Sequence, residues 1–177
     1  YEERARFRLL AQIVSSPFYE EIRTTRQLGY IVYATAFEML ETPALGLVVQ
    51  SPEADADAID QAVQAFSTDF EGQLAELDDN RLNREKQAVI SQLLQQDRQL
   101  AEVSGRYWRE IDRNNEDFDS REQLAEAIRK VTLEDLQQTY RKTLLDRERA
   151  LMVVTGKDGE NQKQILEQLR KRGPVAP

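Results

Sequence analysis

The sequence predicts an α+β fold: a small, mainly antiparallel sheet with helices packed on one face. Three observations carry this reading. Two apolar, β-branched segments lie back to back around Thr42-Pro43. The middle of the chain repeats apolar residues every three or four positions. A third β-branched run, "RALMVVTG", follows the helical stretch rather than alternating with it. Strands and helices segregated along a chain give α+β layers, whereas strict alternation gives a parallel βαβ sheet.

The elements follow in order. Phe7, Leu10, Ala11 and Val14 form one stripe, so the first segment reads as a helix to about Val14. Ser16-Pro17 has the form of a new start, with Ser as N-cap and Pro at the first helical position. That second, short helix turns Phe18, Ile22 and Leu28 inward and ends at Gly29, read as a left-handed C′ residue. Tyr30 to about Met39 reads as a strand. Thr42-Pro43 supplies a break, and Ala44 to Gln50 a second strand paired through a loop of moderate length. Both strands are apolar on both faces, as strands covered on each side are.

Ile59, Ala62, Val63, Phe66, Phe70, Leu74 and Leu77 define a long amphipathic helix. After "LDDN", Leu82, Val89, Leu93 and Leu94 define another; near Asp97 the rhythm slips, then Leu100, Val103, Tyr107, Trp108 and Ile111 resume it. "SREQ" from Ser120 and "TLED" from Thr132 both have capping-box form, the second opening a helix to about Leu145. Arg149 to Gly156 reads as a last strand, "GKDG" as a turn, and a final helix runs to Arg172.

Composition narrows the function. The chain has 177 residues, the length of one domain, with 40% hydrophobic and 32% charged residues. Its formal charge of −8 argues against nucleic acid as a partner. No apolar run approaches the ~20 residues that span a bilayer, so no membrane partner is expected. Cysteine and histidine are both absent. The usual general base near neutral pH and the usual zinc ligands are therefore missing, and no catalytic or metal-binding residue is expected in this chain. The opening "YEERARFRLL", already helical in rhythm and without an initiator Met, leads us to expect a piece of a longer polypeptide.

Few local patterns carry chemistry. The acids Glu53, Asp55, Asp57 and Asp60 lack the glycine and terminal glutamate of a calcium loop and suit a helix N-terminus. Tyr107-Trp108 at helical spacing reads as core. Glu85 and Asp97 have no histidine to work with, so paired-carboxylate catalysis is unsupported. The stretch "RTTRQLGYIVY" is different. Arg23 and Gln27 are i,i+4 on one helix face, and Tyr30 follows a chain reversal. A permanent cation and a phenol at one corner can hold a peptide backbone or its developing oxyanion. The plain alternative is a capped helix end with a surface Arg and a half-buried Tyr.

"PFYEEIRTTRQLGYIVY", then "GLVVQSP", and later "RYWREI" with "FD" together resemble the C-terminal domain of the pitrilysin and insulin-degrading-enzyme family, zinc peptidases of the inverted H-x-x-E-H type. The resemblance spans about Ser16 to Gly156 and is most specific in "RTTRQLGY". It implies a non-catalytic C-terminal portion of a zinc endopeptidase that forms part of the substrate chamber. Zinc and the catalytic glutamate would come from the N-terminal half of the parent. Arg23 and Tyr30 would hold peptide substrate near the metal, with Gln27, Leu28 and Gly29 shaping the corner. The partners implied are a peptide and the N-terminal domains of the same polypeptide. Residues 1–177 would be one domain, with 1–15 a connecting helix from upstream. Bacterial members are often periplasmic, which favours that compartment. The chain departs from the family pattern in having no H-x-x-E-H. Some members of the fold are non-proteolytic structural subunits, so that alternative stands beside the peptidase.

Overall fold

The computed structural model describes residues 1–39, 41–147 and 150–155. Its spine is α1 (Glu2–Tyr19), which buries Ala5, Leu9, Leu10, Ala11, Ile13, Val14 and Phe18. The sequence signals a restart at Ser16-Pro17, yet α1 runs straight through Pro17 and passes into a π-helical turn, Glu20–Thr25. An interior proline loses an N–H and clashes with the preceding turn, at about 3 kcal/mol. Val14 and Phe18, both fully buried, stay on the core face only if the helix continues, and that packing outweighs the local signal.

β1 (Ile31–Met39) and β2 (Thr42–Gln50) pair antiparallel, from Ile31 opposite Gln50 to Met39 opposite Thr42. The hairpin is tighter than the sequence signals. Pro43 is no break but lies inside β2 opposite Glu38, and β2 begins at Thr42, directly after Glu41 at φ 65°. Proline is admitted because each strand of a two-stranded ribbon is an edge strand. Val32, Ala34, Leu45, Leu47 and Val49 face the core, against α1. Ile31, Tyr33, Phe37 and Met39 face outward and are exposed. The two apolar faces read from the sequence are both present, one covered by this chain's helices.

The helices α2 (Ala56–Ala75), α3 (Asp79–Leu93), α4 (Leu100–Asp112), α5 (Ser120–Lys130) and α6 (Leu133–Tyr140) follow, and α6 passes into a second π turn, Arg141–Leu145. Asp55 caps α2, its carboxylate accepting the Ala58 N–H at 2.8 Å, which accounts for the acids there. Asp78 caps α3 in the same way through the Arg81 N–H at 2.7 Å. Thr132 and Asp135 form the expected capping box. The "SREQ" box does not form. Ser120 donates its hydroxyl to the buried Glu110 of α4 instead, and Asp119 takes the N-cap position without a side-chain cap bond.

The core is one cluster built on α1, α2 and α6. Phe18 meets Phe66 edge-on at 5.3 Å, Phe66 stacks on Phe70 at 5.4 Å, and Phe70 tilts against Tyr140 at 5.9 Å. Each such ring, fully buried, contributes roughly 2 kcal/mol or more. The Tyr140 hydroxyl donates to the Ser67 carbonyl at 2.8 Å, which makes its burial affordable.

Two further expectations are corrected. Tyr107 and Trp108 are not core: Tyr107 is 43% and Trp108 61% exposed, and Leu100 and Ile111 join them on an open face of α4. Periodicity locates an apolar face but not what lies over it; α4 docks through its other side, by Glu110 and Arg106. Residues 150–155 form no strand, and the sheet among the described residues has two strands. A strand exists by pairing, and among the described residues Leu151–Val153 pair with neither hairpin strand and stay exposed. Arg149, Gly156, the "GKDG" turn and the final helix to Arg172 lie outside the described residues. With the hairpin paired, the architecture is the α+β one read from the sequence. No helix among the described residues is long and apolar enough to cross a membrane.

Candidate functional site

The corner between α1 and β1 is made by a widened helix end. In the π turn the Arg26 N–H reaches the Glu21 carbonyl at 2.9 Å, and the Leu28 N–H reaches back six residues to Ile22 at 3.0 Å. The Arg26 and Glu21 side chains close the same turn at 2.7 Å. Reversal is achieved by Gln27, whose φ of 55° is left-handed. The sequence assigns that role to Gly29, because glycine is the usual left-handed cap; the structure gives Gly29 a different task. A Cβ there would lie 2.8 Å from Val49 Cγ1 and 3.1 Å from both the Gln50 carbonyl oxygen and Val32 Cγ2. Glycine is required because the end of β2 packs directly on the backbone at this point.

Tyr30 is fixed at its main chain and open at its side chain. Its N–H donates to the Gln50 carbonyl at 3.0 Å, tying it to the end of β2. Its carbonyl accepts a hydrogen bond from the Arg23 guanidinium. Arg23 also lies over the Tyr19 ring, 5.3 Å from its centroid. The Tyr30 residue itself is 51% exposed. The structure thus brings Arg23 and Tyr30 into direct contact, both solvent-accessible, while Gln27 stands exposed at the reversal. Arg23 uses part of its five-donor fork on Tyr30 and keeps the rest. Sequence reasoning missed Tyr19 and Gln50. Tyr19 was findable, four residues before Arg23 on a helix; a backbone carbonyl twenty residues on leaves no trace in a sequence.

The remaining candidates are structural. Glu85 accepts from Gln12 at 3.2 Å. Asp97 accepts from Arg106 at 2.7 Å and Arg121 at 2.9 Å, and these bonds hold its carboxyl below the usual range, Arg106 contributing most. Among the described residues no group of three His, Cys, Asp or Glu side chains is placed to hold a metal ion. With no His or Cys in the sequence, the donor set does not fit catalytic zinc, and no step through a metal is assigned to these residues.

The helix-spined hairpin with its Arg–Tyr corner has clear counterparts among known proteins. Residues 9–108 match the family model described as "PQQ synthase PqqF-like, C-terminal lobe domain 4". Protease 3 of Salmonella typhi and of Escherichia coli K12 are each 30% identical over 146 residues, 82% of this chain and 15% of theirs. A Schizosaccharomyces pombe protein assigned by name as a zinc protease is 29% identical over 72% of this chain and 13% of its own. The crystal structure of pitrilysin superposes with a TM-score of 0.77 at 29% identity, covering 82% of this chain and 16% of that one. The chain belongs to the pitrilysin family of metallopeptidases, as a C-terminal domain. It spans about 15% of the length of the curated relatives it matches.

Proposed function

We propose that this chain forms part of the substrate-binding wall of a pitrilysin-like zinc endopeptidase, with Arg23, Tyr30 and Gln27 contacting peptide. The zinc, its bound water and the general base belong to the N-terminal half of the same polypeptide, which is this domain's partner. A periplasmic location fits the bacterial relatives. One observation carries the reading: Tyr30 has both main-chain polar groups tied down and its phenol half exposed. Such a group is preorganised, so aiming its O–H at a carbonyl oxygen costs little entropy on binding. The free donors of Arg23 lie beside it and supply positive charge where an oxyanion develops. What favours this reading over a plain capped helix end is that the exposed Tyr30 ring stands on a main chain held at both polar groups, beside the remaining Arg23 donors.

The test is made in the full-length protein. Tyr30→Phe removes one hydrogen bond to a developing charge and is expected to lower kcat/KM for a peptide roughly tenfold. Arg23→Ala, which also loosens Tyr30, is expected to cost more. Unchanged turnover in both variants refutes the site. A full-length protein with no peptidase activity at all would instead assign the fold a structural role.

A further inference from the structure

A second feature lies at the other end of the hairpin. β1 places Glu38 eight residues beyond Tyr30, about 26 Å away at ~3.3 Å per residue. There the first turns of α1 and the hairpin tip enclose a groove of about 210 Å³, lined by Arg4, Phe7, Arg8, Ala36, Phe37, Glu38 and Pro43. Its charges are uneven. Arg4 and Arg113 both lie on the same Glu38 oxygen, at 3.4 and 2.7 Å. Arg8 has no carboxylate within ion-pair distance among the described residues. Two guanidiniums therefore share one acid and a third, Arg8, stands nearby without an ion pair, in a chain whose formal charge is −8. Glu110 and Asp119 stand behind Tyr1, but Glu110 already accepts from Asn115 and Ser120. The facing wall is apolar, made by Phe7, Ala36 and Pro43.

We propose that this groove is an oxyanion subsite that takes a carboxylate carried on an apolar residue, the chemistry of a peptide's C-terminus. The guanidinium fork matches the two oxygens of a carboxylate, and the apolar wall of Phe7, Ala36 and Pro43 accepts the attached side chain. Desolvation and, less strongly, the nearby Arg113 disfavour the Arg8 charge while Glu38 supports it, and a bound anion adds to that support. The inference that the carboxylate comes from a peptide rests on the function proposed above; the anion chemistry does not. Glu38 is the resident competitor, occupying Arg4 and Arg113 until a better anion enters.

The experiment is calorimetric titration of the full-length protein with three probes: an N-acetylated peptide ending in Leu with a free carboxylate, its C-terminal amide, and inorganic phosphate. The free acid is expected to bind about tenfold more tightly than the amide, the worth of one partly exposed charge-assisted pair. Arg8→Ala removes that difference. Glu38→Gln keeps the groove's shape, frees two guanidiniums and tightens the acid severalfold, a gain no merely structural role gives. Tyr30→Phe leaves the acid–amide difference intact, so loss of corner function and loss of groove function are told apart. Equal binding of acid and amide, or weaker acid binding in Glu38→Gln, overturns the proposal. Phosphate binding as tight as the acid overturns the peptide part and assigns the groove to a free oxyanion.

Discussion

Gly29→Ala is the most direct probe of how the corner is built. The added methyl would sit 2.8 Å from Val49 Cγ1, against the ~3.5–4.0 Å at which carbon atoms rest. It would also lie 3.1 Å from the Gln50 carbonyl oxygen, the acceptor of the Tyr30 N–H. Val49 can turn only within a packed inner face, and Gln50 contributes main chain, so the strand end must move. Overpacking of this kind costs about 1–3 kcal/mol, here near the middle because two of three contacts have a few tenths of an ångström to find. In urea denaturation of the chain, with a slope of about 2 kcal/mol/M, a loss of about 2 kcal/mol shifts the midpoint down by about 1 M. Val49→Ala removes the closest clashing atom, so the double variant is expected to lose less than the sum of the singles. A midpoint unchanged by Gly29→Ala refutes the close-approach account of this glycine.

Three further outcomes follow from the packing. Tyr140→Phe strips the hydroxyl from the Ser67 carbonyl and is expected to lower stability by about 1 kcal/mol in the same denaturation assay. Thr132→Ala removes the side-chain half of the α6 capping box, at about 1 kcal/mol, and leaves Asp135→Ala with little more to lose in the double variant. The Asp97 clamp is pH-dependent. Its folded pKa lies below the ordinary value of 3.8, so the clamp stabilises above that value and is lost as the pH falls through the depressed one. Asp97→Asn should flatten the acid limb of a stability–pH profile, and an unchanged limb would show that the clamp contributes nothing.

What the sequence could reveal depended on whether local chemistry or distant packing decided each element. The long α2 and the Thr132 box are local, and they are where the spacing places them; the hairpin forms as read but with a tighter connection, because Pro43 pairs inside β2. Ser16-Pro17 has the right residues for a helix start, but Val14 and Phe18 needed an unbroken helix and tertiary burial won. Ser120 has the right form for a box, yet a buried carboxylate ten positions of helix and loop away claimed its hydroxyl. At the corner, Arg23 and Tyr30 were legible as a pair. The exchange of roles between Gln27 and Gly29 was not, because it depends on how closely β2 returns to the backbone.

The two hydrogen bonds on the Tyr30 peptide come from different bodies, the guanidinium from the helix end and the N–H partner from the far strand. That residue is accordingly a weld between them. If the hairpin rocks against the spine, one of the two bonds must stretch, and the ring swings with whichever holds. Where the phenol points therefore reports the angle between the two bodies.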